Sequence, residues 1–534
     1  MRRTRWVQLL ILTLSSGGLL LLFLAVSASS ATVRGVVLAG TAPVAGARVR
    51  VRATENLTFS DETGAFFLQG LNPGQEIEVT AWYTGYYIAS TKVVPPASDV
   101  ILTLRPYHTE DHPDYTWTDP ISGTMPGACG ACHPMIVSQW ISNAHGTAVS
   151  NARFFSLYNG TDISGTHPVT PGYLDDFPGT AGNCASCHAP GAAVDHYMAT
   201  DMNAVRDMVT AGIHCDFCHK VGGAYLDATT GSVYPNAPGV QSLRVLRPPA
   251  GDNIFFGPYD DIHDPDTYLP LMSESQFCAP CHQFSFWGTP IYESYDEWLR
   301  SPYAAEGVTC QNCHMPPTGD EYFALPEVGG LPHPPAQIPS HLQRGALDVA
   351  LLQDTVELSL TATQEGGEIL VSATITNSGA GHHVPTDHPG RHLLLIVTAA
   401  DEEGQALVQN AGSTIPGWGG PEAGLPGTAF AKILQDARSG EMPVVSYWKQ
   451  SFIVSDNRIP ALASDESQVR FRLPATAGTV TIQAELRMRR LFYDLALAKG
   501  WEAADITMET ATVTLEPHPV STIHLPLLVG ASAD

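Results

Sequence analysis

Residues 213–220 read IHCDFCHK, a CxxC pair with one histidine directly before it and another directly after it. The later histidine decides the class of protein. In CxxCH the two thiols lie on one turn of chain and can add to the two vinyl groups of a haem, leaving the histidine beneath the iron as proximal ligand. The same unit recurs at Cys129/Cys132/His133, Cys184/Cys187/His188, Cys215/Cys218/His219, Cys278/Cys281/His282 and Cys310/Cys313/His314, which accounts for all 10 cysteines. Zinc knuckles would need the thiol pairs but would be indifferent to the next residue. With 20 histidines in 534 residues, a histidine at all five places by chance has odds of roughly one in ten million. The cysteines therefore predict five covalent haem c groups.

The N-terminus agrees about compartment. MRRTR is a basic start, WVQLLILTLSSGGLLLLFLAV is apolar, and SASSA offers small residues for cleavage after Ala28 or Ala31. Residues 1–31 read as a secretory signal, with an uncleaved anchor as the alternative because the apolar run is long enough to span a bilayer. Haem c is attached outside the cytoplasm, so both signals predict an exported protein, periplasmic, extracellular or at the cell surface. The formal net charge of −26 becomes −29 without Arg2, Arg3 and Arg5. That argues against nucleic acid as a partner and fits basic redox partner proteins or a solubilising surface.

Composition divides the remainder in three. From residue 32 to 107, VRGVVLAG, ARVRVRAT, GAFFLQG, EIEVTAWYTG and DVILTLRP alternate apolar and polar residues between turn signals, predicting a small β-sandwich. Its arrangement resembles the carboxypeptidase-regulatory-like, prealbumin-type module, which implies a spacer or adhesion role, including membrane or cell-surface association, with an inert structural role as the alternative. From 108 to 346 periodicity fades and prolines, glycines, aromatics and histidines crowd around the CxxCH units. About 240 residues serving five haems must pack them closely. From 347 to 516, TVELSLTAT, EILVSATITN, RHLLLIVTAAD, SQVRFRLPA and TVTIQAELRMRR predict an antiparallel sandwich, and 517–534 a tail.

Fifteen histidines lie outside the CxxCH units, which permits a second axial histidine for every iron without requiring it. His145 follows an expected short helix from Pro134, with Ile136 and Trp140 at packing spacing, and is placed at its end. His214 abuts Cys215 and is better placed for a neighbouring haem than for its own. His196 lies close to its own CxxCH, His263 falls in a loop between the third and fourth units, and His333 and His341 follow the fifth. In the loop NSGAGHHVPTDHPGRH, His382 or His383 can be presented across the domain boundary by two strands. Met198 and Met315 are the nearest rivals, while His108, His112, His167, His518 and His524 read as surface residues.

The stretches CGACHPMIVSQWISNAHG, CASCHAPG, GIHCDFCHKV, FFGPYDD, ESQFCAPCHQ, YDEWLRSPYAAEGVTCQNCHMP and GAGHHVPT resemble the multihaem cytochromes c related to the tetrahaem electron acceptor of hydroxylamine oxidoreductase. The likeness spans roughly residues 125–510. It implies a haem-stacking electron carrier in which GHHVPT matches the ligand-bearing loop at His382. The family includes reductases and oxidases as well as carriers, but no CxxC here is followed by lysine, as the nitrite-reductase pattern requires. Two functions follow: an electron carrier with mostly bis-histidine haems, and, alternatively, an oxidoreductase with one open iron acting on a small nitrogen or sulfur oxo compound.

Overall fold

The computed structural model describes residues 30–121, 128–205, 209–262, 265–474, 478–502 and 505–518. The expected signal, His263, His524 and all but the start of the expected tail lie outside the described residues. Two β-sheet regions flank a middle region of loops and short helices.

The first β region contains β1 (Ala31–Ala39), β2 (Ala42–Pro43), β3 (Arg48–Val51), β4 (Leu57–Phe59), β5 (Ala65–Leu71), β6 (Ile77–Trp82), β7 (Ala89–Val93) and β8 (Ala97–Leu104). One sheet runs β2-β1-β5, with β8 paired to β1 in parallel; the other runs β4-β3-β6-β7. Alternation explains the two faces, because Val49 and Val51 of β3 turn inward while Arg48 and Arg50 turn outward. Val33, Val37, Val49, Leu68, Val79 and Leu102 close the core. Complete burial of such side chains contributes about 1.5–3 kcal/mol each.

The middle region holds three two-stranded pairs: β9 (Val221–Ala224) with β10 (Leu243–Val245), β11 (Phe255–Gly257) with β12 (Asp266–Tyr268), and β13 (Phe284–Phe286) with β14 (Thr289–Tyr292). Its longest helices, Pro134–Ile141 and Ala152–Asn159, have eight residues each. Every CxxC pair lies on a single helical turn, which puts residues i and i+3 on one side of the chain. The apolar clusters here are small and separate, and they surround a cavity of about 1430 Å³. That is larger than an ordinary small-molecule pocket, which runs to about 1,000 Å³.

The second β region adds β15 (Glu357–Glu365), β16 (Glu368–Thr376), β17 (His392–Ala400), β18 (Gln409–Gly412), β19 (Gly427–Asp436), β20 (Ser451–Asp456), β21 (Ser464–Arg472), β22 (Val480–Arg489) and β23 (Ile506–Leu515). These form sheets β15-β16-β21-β18 and β20-β19-β17-β22-β23. On β16, Ile369, Val371, Ala373 and Ile375 alternate into the core, facing Leu393, Leu395 and Val397 of β17. Strand β17 is buried on both faces because Leu394 and Ile396 pack outward against Ile415 and Ala429. Past β23, His518 is tied to Gln364 by hydrogen bonds in both directions, so the start of the expected tail is held at the sheet edge.

Candidate functional site

The cavity is lined by four of the five CxxCH units, those ending at His133, His219, His282 and His314, and by His145, His333, His341 and His382. Thiols of different units are neighbours: Cys129 with Cys215, Cys187 with Cys281, and Cys278 with Cys310. Cys218 also lies close enough to Cys281 to feel its charge. These contacts join all five units into one connected cluster.

Several histidines lie opposite CxxCH histidines. The rings of His314 and His382 have centroids 6.3 Å apart and planes 18° from parallel, and those of His145 and His282 are 6.2 Å apart at 59°. An iron held between two imidazoles requires two bonds of about 2 Å plus roughly 1.1 Å from each nitrogen to its ring centre, a total of about 6.2 Å. His108 and His112 stand at a similar 6.1 Å, but His108 is exposed on Asp252 and neither residue lines the cavity. His341 sits within electrostatic reach of both His219 and His133. His333 lies against Tyr259 and Phe323 with its Nε2 buried and without a hydrogen-bond partner.

Local sequence explains how the opposing rings are held. His145 does not end its helix as expected: the helix stops at Ile141, and His145 lies in the following turn. There Asn143 Oδ1 accepts from the His145 and Gly146 N–H groups, and Asn143 Nδ2 donates to the His341 carbonyl. Gly146 is required, since a Cβ there would meet the Trp140 carbonyl oxygen at 2.2 Å. In the second β region, Asn377 Nδ2 donates to the carbonyls of His382 and Ile459, fixing the histidine loop to the sheet. Glu297, buried, accepts from the His383 N–H, the Thr386 hydroxyl and Arg458.

Three expectations change. His214 caps the helical turn Cys215–Cys218, with its Nδ1 accepting from the Phe217 N–H. Nδ1 is thereby taken up in capping, while the ring also lines the cavity. His196 is exposed, because the helix Pro190–Ala193 ends just before it and Asp195 is drawn to Arg247. His383 turns its ring to Glu297 (3.5 Å), so of the adjacent pair it is His382 that faces His314. Met198 is exposed, whereas Met315 lines the cavity.

Comparison with known proteins bears on this arrangement. The family model described as cytochrome c554 and c-prime matches residues 128–220. Among solved structures, the penta-haem cytochrome c552 from Thermochromatium tepidum matches with TM-score 0.53 and 22% identity, covering 72% of this chain and 97% of that chain. The chain has the fold of a multihaem cytochrome c. A PapD-like domain of human CEP192 also matches, over 32% of this chain and 89% of that one, at 9% identity and a TM-score of 0.14 that carries no argument. Among curated proteins none matches.

The multihaem reading can be tested on the ring nitrogens. An imidazole that ligates through Nε2 is oriented by a hydrogen bond from its Nδ1–H. His133 Nδ1 lies 2.7 Å from the Phe323 carbonyl, His219 Nδ1 2.6 Å from that of Phe256, and His314 Nδ1 2.6 Å from that of Arg344. His382 Nδ1 lies 2.9 Å from the His383 carbonyl, and His282 Nδ1 lies 3.6 Å from Asp387 Oδ2. For His133, His219, His314 and His382 Nε2 is left for a ligand bond, while Asp387 raises His282 to about 9. Burial also pushes His145, His188 and His341 down to about 4, so they are neutral with a lone pair available at ordinary pH. The residues present fit haem c.

His188 is different, because the ring lying against it is Phe154, with centroids 4.3 Å apart at 26°. Residues passed over in the sequence include Glu297, Asn377 and Asp387, which hold or orient histidines from distant positions. The half-buried His388, pushed down to about 3 by desolvation and the Arg391 charge, was also passed over although it lies in the quoted loop. For Asp387, the turn signal in PTDHPG is visible but says nothing of its partner.

Proposed function

We propose that the chain is an exported pentahaem c-type cytochrome that transfers electrons by outer-sphere hopping along closely packed, mostly bis-histidine haems. The facing of His314 by His382 and of His282 by His145, at the separation two iron–nitrogen bonds would span, carries the reading. The ten cysteines hold five haem c groups, His133, His188, His219, His282 and His314 are the proximal ligands, and His145, His341, His333 and His382 are offered from the opposite side. Haem c supplies reversible one-electron iron chemistry when bound. The chain's own residues would hold the imidazoles in place, and burial keeps His145, His188 and His341 neutral, so little rearrangement would accompany electron transfer.

Neighbouring thiols make the first unit adjoin the third, the third the fourth, and the fourth both the second and the fifth. The motif resemblance supports a carrier related to the tetrahaem acceptor of hydroxylamine oxidoreductase. The net charge of −26 supports a basic redox partner. Among the described residues no helix is long and apolar enough to cross a membrane.

One observation favours a second reading. The four candidate opposing histidines line the cavity and His188 does not, which leaves the second haem as the place for an open iron, and hence for an oxidoreductase acting on a small nitrogen or sulfur oxo compound. Electron paramagnetic resonance of the oxidised protein separates the two. A carrier shows low-spin haems throughout; a stoichiometric high-spin haem that binds cyanide or nitrite establishes the oxidoreductase. Intact-mass measurement after acid-acetone extraction should show five retained haems, and extractable haem or bound zinc would overturn both readings.

A further inference from the structure

The N-terminal sandwich is joined to the middle region by a packed and hydrogen-bonded contact. Tyr87 and Ile88, just after β6, are fully buried, and Tyr87 packs with Leu246, Ile254 and Phe256, the last of which holds His219 through its carbonyl. Tyr87 donates to the Asn253 carbonyl (2.8 Å), Trp82 Nε1 to Thr267 Oγ1 (3.0 Å), and the Ile88 N–H to the Asp266 carbonyl (3.1 Å). These contacts fix the module against the middle region.

Its outward strand face completes the cavity wall. Arg48 and Arg50 of β3 both line the cavity, and Arg50 lies within electrostatic reach of His333, whose neighbour Phe323 stacks on His133. Between them lies Asp260, only 6% exposed: Arg48 Nε donates to one oxygen, and Arg50 Nε lies 2.8 Å from the other. Arg50 Nη1 donates to the Thr54 carbonyl (2.9 Å). Asp261 is engaged by the Ala53 N–H (2.7 Å). Two guanidiniums thus share one carboxylate, and they carry more N–H donors than these bonds consume. Their planar forks match further carboxylates, and a buried cation strengthens such a bond.

We propose that Arg48 and Arg50 of the N-terminal sandwich form a carboxylate site for the haem at the His133/His333 end, so that this domain sets the potential of that haem. The inference rests on the multihaem reading. Positive charge at the site stabilises the iron form that has gained an electron, and Asp260 moderates that charge. Removing an arginine therefore lowers the midpoint of this one haem, and removing Asp260 raises it.

The test is spectroelectrochemical titration of the full-length, haem-loaded protein and its variants. Arg50→Gln should shift the reduction equilibrium of one haem about tenfold toward the oxidised form, ~59 mV for one electron, leaving the other four in place. Asp260→Asn should move the same haem the opposite way, and Arg50→Lys should stay near wild type. If Arg50→Gln does not accumulate, Arg48→Gln serves the same purpose. A merely structural Arg–Asp clamp predicts that Arg50→Gln and Asp260→Asn both weaken domain docking with no opposed shifts. That result, or five unchanged midpoints, overturns the inference and leaves the multihaem reading standing. Absence of covalent haem would instead remove the reading beneath it.

Discussion

Replacing His382 with alanine removes one imidazole from a pair whose centroids stand 6.3 Å apart. The loop itself should remain in place, because its anchors do not depend on that ring. Asn377 holds the His382 carbonyl at 2.8 Å, and Glu297 takes the His383 N–H at 3.1 Å and the Thr386 hydroxyl at 2.6 Å. Gly379 also seats the backbone where a Cβ would meet the Asp354 carbonyl oxygen at 2.0 Å. Each anchoring bond contributes about 0.5–1.5 kcal/mol, more where Glu297 is charged. The variant should therefore keep all five haems while one of them, the partner of His314, loses its sixth ligand. About one fifth of the low-spin intensity should convert to high-spin, and added imidazole should restore it. His383→Ala is the internal control: that ring faces Glu297 at 3.5 Å, so its loss should leave the spin states unchanged. Paramagnetic resonance and cyanide binding read both outcomes. A low-spin spectrum untouched by His382→Ala, or an equal conversion in His383→Ala, would refute the reasoning.

Further consequences are open to measurement. Asp387 lies 3.6 Å from His282 Nδ1, where a carboxylate makes the imidazole a stronger donor and favours oxidised iron; Asp387→Asn should raise a single midpoint in a redox titration. Lys499 is completely buried, and its ammonium, with three N–H groups, is shared among the carbonyls of Ser156, Thr161, Val169 and Pro171, tying the second β region to the middle one. Lys499→Met should cost at least about 2 kcal/mol in denaturant titration, because four carbonyls lose their donor together. With histidine as the proposed axial ligand, the titration should find mostly negative potentials, and a dominant methionine-to-iron charge-transfer band would contradict the proposal.

Local chemistry was legible from residue order. A CxxCH unit is five residues long, so thiols and imidazole are brought together by one helical turn whatever surrounds them. The strands announced themselves in the same way: period-two alternation in EILVSATITN becomes the alternating burial of Ile369, Val371, Ala373 and Ile375. Partnership between distant residues was not legible. Nothing in NAHG or GAGHHVPT says that His145 will face His282 or that His382, rather than His383, will face His314. Those choices depend on Asn143, Asn377 and Glu297 reaching across the fold. The first histidine of IHCDFCHK shows the limit most plainly, since its spacing permits a ligand while the folded chain spends its Nδ1 on capping the turn that carries the cysteines. The alternation that exposed Arg48 and Arg50 was readable in ARVRVRAT, but only packing decided that their outer face would meet Asp260 and the cavity instead of water. Spacing along a chain constrains neighbours within a turn or a pleat; which surfaces then bury one another is decided by the whole molecule.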